Sequence, residues 1–182
     1  ELFEQNAVVI DELGGALRNY PGVVINAIEP VDALTARLVE VSGLPWNKVI
    51  GLGSLLDATR LRYLISEETG ISSENISAMV IGRHSDAMLP LEEYTKISGV
   101  PLSQIMSRQQ IDKIFEELKK AGDLIVDMAK QGQYEIDGVA MGLPAVIGRR
   151  GVEVVLKPKL GSSQRDALMK SAEDLREIAQ GA

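Results

Sequence analysis

The sequence predicts an α/β fold, the end of a doubly wound parallel sheet followed by an α+β region, and three observations carry that prediction. Two short apolar runs, PGVVINAIEP at 21–30 and NKVIGLG at 47–53, have the length and the glycine and proline boundaries of strands buried on both faces. The segment between them, VDALTARLVEVSG, repeats apolar residues at helical spacing, so strand, helix and strand form a right-handed crossover with a parallel pair. From residue 54 onward, helical patterns alternate with short strands without an internal repeat or low-complexity tract.

Each element follows from local pattern. ELFEQNAVVIDELGGALRNY opens the chain as an amphipathic helix with Leu2, Val9, Leu13 and Leu17 as its apolar stripe, and without a methionine it reads as the continuation of an earlier segment. In the crossover helix Val31, Leu34, Leu38 and Val41 share one stripe, Gly43 is the C-cap and Pro45 the stop. SLLDATRLRYLISEETG is the next helix, with Ser54 as N-cap, Leu55, Leu61 and Leu64 as apolar residues, and Gly70 as its end. NISAMVIG returns as a strand and delivers the turn GRHSDAM. A helix from about residue 107 uses Ile111, Ile114, Leu118 and Ile125. GVAMGLPAVIGRRGVEVVLKP reads as two strands joined at GRRG, and SSQRDALMKSAEDLREIAQ as a terminal helix. EELKK at 116–120 is a solvated helix face with i,i+4 pairing, and Trp46 and Met88 are packing residues.

Composition narrows the function. Lys and Arg number 19 against 26 Asp and Glu, a formal charge of -7, which leaves no broad positive surface for a nucleic-acid backbone. The absence of cysteine excludes disulfides, thiolate catalysis and Cys-ligated zinc, and fits a reducing, cytoplasmic setting. A single histidine excludes a histidine-rich metal site. The longest apolar runs are too short to cross a bilayer, and no N-terminal signal pattern is present.

That histidine, His84, follows a strand among small residues (Gly82, Ser85, Ala87) that would leave its ring accessible. Asp57 and Arg60, three apart, share one helix face just after GLGS. Taken singly, the acid and the arginine are an intrahelical ion pair and the histidine a structural loop residue. Taken together they have another use. A carboxylate on one ring nitrogen fixes the tautomer and frees the other nitrogen for proton exchange, while a guanidinium grips a substrate carboxylate with two bonds. These are the needs of a 2-hydroxy-acid or 2-keto-acid reaction.

VIGLGSLLDATRLRYLISEETGISSENISAMVIGRHSDAMLPL is similar to the lactate and malate dehydrogenase superfamily, with its LDxxRxR helix and GxHGD turn. GQYEIDGVAMGLPAVIGRRGVEVV looks more like its lactate-dehydrogenase-like malate dehydrogenases. The resemblance implies a Rossmann-like remnant of an NAD-binding domain at 1–53 and a substrate domain at 54–182. It implies His84 as proton donor and acceptor, Asp57 as its orienting partner and Arg60 as the clamp on the substrate carboxylate. Asn6 matches a family dinucleotide contact, and Ala27, Ile28 and Glu29 match backbone that approaches the nicotinamide, with Glu29 also at a substrate-binding position. The implied cofactor is NAD, the partner a small dicarboxylate, and the assembly a homodimer or homotetramer facing itself through the helix at 54–69.

The chain departs from the family pattern in four places. No G-x-G-x-x-G unit precedes Asn6, and GLGS reads as strand-end packing, so this chain alone is expected to hold NADH poorly. The lid that separates malate from lactate has no counterpart. Between Lys130 and Gln131 a family helix and strand are passed over. Glu29 replaces an asparagine that would donate to substrate, and GRHSD has Ser85 where the family has glycine, on a more restricted backbone. Two alternatives therefore stay beside malate dehydrogenase: a degenerate, non-catalytic scaffold, and a lactate dehydrogenase.

Overall fold

The computed structural model describes residues 2–126, 134–136, 139–148 and 150–180. Its first layer is helical hairpin and crossover. Helix α1 (Leu2–Ala16) lies against α2 (Val31–Ser42), and strands β1 (Val24–Asn26) and β2 (Val49–Gly51) flank α2 in sequence. The strands pair in parallel, Val24 opposite Val49 and Asn26 opposite Gly51, as the crossover requires. Gly43 caps α2 in the left-handed conformation at φ 66°, donating its N–H to Val39.

The buried stripe of α1 differs from the predicted one. Ala7, Ile10 and Gly14 face the core with Phe3 and Leu17 beside them, whereas Leu2, Val9 and Leu13 are exposed. Gly14 decides the face. A Cβ there would collide with Val41 of α2, so the two helices approach closely only where α1 has no side chain. Within α2, Val31, Leu34 and Leu38 are buried as predicted, and Leu34 and Leu38 form the core of this layer with Ala7, Ile10, Leu44 and Val49.

A second core begins with α3 (Gly53–Thr69), closed by Gly70 at φ 70°. Ser54 does not cap it. The helix starts two residues earlier than that cap implies, at Gly53, with Leu52 at the cap position. The predicted single strand through 75–82 is broken in two. Residues β3 (Ile76–Ser77) and β4 (Val80–Ile81) join different sheets, β3 pairing with β6 (Lys96–Ile97) and through it β7 (Val100–Pro101), β4 pairing with β5 (Leu89–Pro90). Helix α4 (Arg108–Val126) buries Ile111, Ile114 and Leu118 against Leu61, Ile65, Ile76, Val80 and Met88. The side chain of Ile125 lies outside the described residues. Trp46 is 47% exposed, so it does not pack as expected, while Met88 does. On α4, Lys120 and Glu116 pair at 3.7 Å, the solvated contact expected of EELKK.

Four strands are described from residue 134 on: β8 (Tyr134–Ile136) pairs with β9 (Val139–Met141), and β10 (Ala145–Gly148) with β11 (Gly151–Val155), so GVAMGLPAVIGRRGVEVVLKP holds three strands where two were expected. Helix α5 (Ser162–Gln180) returns over β9 and α2, burying Ser171, Ala172 and Leu175. Among the described residues no helix is long and apolar enough to cross a membrane.

Candidate active site

Gly53, Asp57, Leu61 and Ile65 are the buried residues of α3, one every fourth position. Asp57 therefore occupies a stripe otherwise made of apolar or absent side chains, and its carboxyl is 1% exposed. A carboxylate buried in this way requires partners. It has two: Oδ2 lies 2.6 Å from His84 Nδ1, and Oδ1 accepts a longer contact from Arg60 Nη1 at 3.4 Å.

The imidazole arrives from the other direction. Strand β4 ends at Ile81, and Gly82, at φ 91°, turns the chain in a conformation that favours glycine. Gly82 and Gly142 exchange both backbone hydrogen bonds at 2.9 Å, tying the start of the turn to the end of β9. The His84 side chain is only 6% exposed. Small neighbours thus do not leave the ring open as expected. They allow the turn to fold it inward, where Asp57 engages Nδ1 and leaves Nε2 as the nitrogen for proton exchange. Arg60 retains 16% exposure, and one long contact to Asp57 leaves most of its donors for another anion.

Asp32, in the first turn of α2, accepts from the backbone N–H of His84 at 3.2 Å. Burial pushes its carboxyl well above the usual carboxylate range, reinforced by the carboxylates of Glu29 and Asp57 and opposed by Arg83 and the His84 N–H. Ser171 on α5 accepts from the preceding backbone N–H, that of Arg83, at 3.2 Å. Neither residue was singled out from sequence. An aspartate in a first helical turn reads as an ordinary dipole partner, and nothing local connects Ser171 to a residue 88 positions away.

The positions assigned to cofactor contact gather at the end of β1. Asn6 donates to the backbone oxygen of Glu29 at 2.6 Å, and Ile28 N–H donates to Asn26 Oδ1 at 3.0 Å. Ala27 is exposed and Ile28 and Glu29 partly so. The Glu29 carboxylate accepts from Val31 N–H at 3.2 Å, at the start of α2. Ser85 is not among the residues with positive φ, and its hydroxyl accepts from Ala87 N–H at 3.1 Å, so serine fits this turn without backbone strain. A cavity of about 260 Å³ is lined by Ser54, Leu55, Ala58, Met79, Gly142 and Pro144 among others, and Asp57, Arg60 and His84 do not line it.

Residues 54–131 match the model of the lactate/malate dehydrogenase alpha/beta C-terminal domain. The chain is 31% identical to a malate dehydrogenase of Methanosarcina mazei over 97% of its own length and 69% of that protein's. This chain belongs to the lactate/malate dehydrogenase family. A malate dehydrogenase of Chlorobium chlorochromatii is 32% identical over 95% of this chain and 67% of its own. The fold agrees with that of Cryptosporidium parvum malate dehydrogenase at a TM-score of 0.90, 24% identity, and coverage of 99% and 70% of the two chains. The lactate dehydrogenase of the same organism, complexed with lactic acid and nicotinamide adenine dinucleotide, matches at 0.87 and 27% identity over 97% and 68%. Alignment to the Methanosarcina protein spans 211 positions against 182 residues here, so at least 29 positions of that family member have no counterpart in this chain. The bypass expected between Lys130 and Gln131 lies outside the described residues.

Proposed function

We propose that this chain is the catalytic part of an NAD-dependent malate dehydrogenase, reducing oxaloacetate to malate and the reverse. The observation that carries the reading is the 2.6 Å contact from His84 Nδ1 to Asp57 in a buried setting, with Arg60 one helical turn away. Residues 1–53 supply the nicotinamide-side edge of the dinucleotide domain, and residues 54–182 the substrate domain.

The geometry suits the chemistry. Asp57 accepts a hydrogen bond from Nδ1–H and stabilises the imidazolium, so His84 Nε2 can give its proton to the carbonyl oxygen of the keto acid. In the oxidative direction the neutral ring takes that proton back from the alcohol. Arg60 holds the carboxylate next to the reacting carbon with its planar fork. When bound, NADH supplies the hydride to that carbon. The end of β1 fits the nicotinamide end of such a cofactor: parallel β1 and β2 finish at one edge, where open α/β sheets bind ligands, with Asn6, Ala27, Ile28 and Glu29 there. The pyrophosphate end does not fit GLGS, since Leu52 and Gly53 open a helix that buries the Asp57 carboxylate in its second turn.

Glu29 bears on substrate choice. Its carboxylate sits on the first N–H of α2, which draws the negative charge toward a helix N-terminus. That capping, together with the unstrained Ser85, favours catalysis over a degenerate scaffold. A homo-oligomer meeting through α3 accords with Leu55 and Tyr63 at 64% and 58% exposure.

The test is NADH oxidation by the full-length protein with oxaloacetate and, separately, pyruvate. Turnover on oxaloacetate above that on pyruvate, collapsing by orders of magnitude in His84→Ala, is the expected outcome. Preference for pyruvate would make the protein a lactate dehydrogenase. Turnover on neither would leave the scaffold.

A further inference from the structure

The turn that carries His84 is held from three separate elements. Gly142 at the end of β9 pairs with Gly82. Ser171 on α5 accepts the N–H of Arg83, and Asp32 on α2 accepts the N–H of His84 itself. The two side chains are 1% and 5% exposed, so both sit where an unmade hydrogen bond is costly. Together they fix consecutive peptide units of a six-residue stretch, Arg83–Met88, that is neither helix nor paired strand. The Asp57 contact needs such fixing, because the imidazole must be held within hydrogen-bond range of a carboxylate anchored on a different element.

We propose that Asp32 and Ser171 are positioning residues for proton transfer: by accepting successive backbone N–H groups they clamp the His84 turn so that the imidazole meets Asp57. Asp32 does this as a hydrogen-bond acceptor rather than as a charge. Its Oδ1 is buried with no hydrogen-bond partner among the described residues, a setting that penalises a full anion. Glu29 and Asp57 place further carboxylates nearby, and Arg83, the cation that faces it, does not satisfy Oδ1. The His84 N–H can be accepted by a neutral carbonyl-like oxygen as well as by a carboxylate. The inference rests on the proton-transfer reading above, which it deepens with two residues that touch neither substrate nor cofactor.

The experiment uses full-length wild type, Asp32→Ala, Asp32→Asn and Ser171→Ala. One readout is kcat and KM for oxaloacetate. The other needs no turnover: the NMR signal of the His84 ring Nδ1 proton, shielded from exchange by its bond to Asp57 and assigned by its loss in His84→Gln. In Asp32→Ala, kcat should fall about tenfold or more with little change in KM, and the ring proton should broaden or vanish. Ser171→Ala should do the same to a smaller extent, and Asp32→Asn should restore both signals toward wild type. A wild-type ring proton in folded Asp32→Ala overturns the clamp. Asp32→Asn behaving like Asp32→Ala overturns the acceptor role, because charge would then be what matters. Should Asp32→Ala fail to fold, Ser171→Ala decides alone, an unchanged ring proton counting against the proposal. A wild type without turnover whose ring proton responds as stated would sink the dehydrogenase reading and leave the clamp standing.

Discussion

Replacing Asp57 by asparagine keeps the shape of the side chain and removes its charge, which isolates what the carboxylate contributes. In the structure its Oδ2 is 2.6 Å from His84 Nδ1 and its side chain is 1% exposed. At that separation and an effective dielectric of ~20, the attraction between carboxylate and imidazolium is about 6 kcal/mol before desolvation is subtracted. The net share available to a proton-transfer step is about 3–5 kcal/mol, or ~10²–10⁴ in rate. Asparagine can also donate to Nδ1, which would present the wrong tautomer and leave Nε2 protonated in the direction that needs a base. Stopped-flow single turnovers with NADH and oxaloacetate should therefore show hydride transfer slowed by that factor. Circular dichroism melts establish that the variant is folded at the assay temperature, since Arg60 and His84 both lose a partner in it. A variant that reacts within tenfold of wild type while folded would refute the assigned role of Asp57.

Three further outcomes follow from the same geometry. Arg60→Lys, which keeps the charge but loses the fork, should raise KM for oxaloacetate by about 10–100-fold, while an unchanged KM would show that the carboxylate is held elsewhere. Asp32, raised by burial in the folded state, holds a proton that the unfolded chain has released above about pH 4, so its contribution to stability is present at acid pH and lost as pH rises through the folded value. Asp32→Asn has no such proton; urea midpoints across pH should favour the variant increasingly above about pH 4, by at most ~1.4 kcal/mol per pH unit, and a pH-independent difference would contradict the assigned shift. Gly14→Val should loosen α1 from α2 by about 1–3 kcal/mol, because its Cβ meets Val41 and the backbone near Ser42; an unaltered urea midpoint would mean the helices can shift apart freely.

Sequence pattern disclosed the crossover because its signals are local: strand runs bounded by glycine and proline, and a helix closed by Gly43. It pointed to the wrong face of α1, since leucine and valine at 2, 9 and 13 outweigh a glycine in any count of hydrophobicity, although the glycine is what lets α2 approach. The single strand through 75–82 failed for a related reason. An apolar run does not reveal that its two halves hydrogen-bond to different partners. At the site, Asp57, Arg60 and His84 were legible because an acid and an arginine three apart follow one glycine-flanked strand end and the single histidine follows another, in the spacing of the LDxxRxR and GxHGD motifs. Asp32 and Ser171 were not, because their role is a contact across 52 and 88 residues to backbone atoms, which carry no sequence signature. The enclosure of the ring was missed on the same account: small neighbours permit exposure and burial alike, and only the packing of α2, α5 and β9 around the turn selects burial.

The central claim is that the His84 imidazole, set by Asp57, is the group that moves the proton in step with hydride transfer. Its most direct test is a single turnover of the full-length protein with NADH and oxaloacetate in weakly buffered solution, following cofactor oxidation and a pH indicator together. Wild type should take up a proton for each hydride transferred, and His84→Gln should slow both signals in parallel by ~10² or more. Rapid, proton-coupled turnover in His84→Gln would contradict the account.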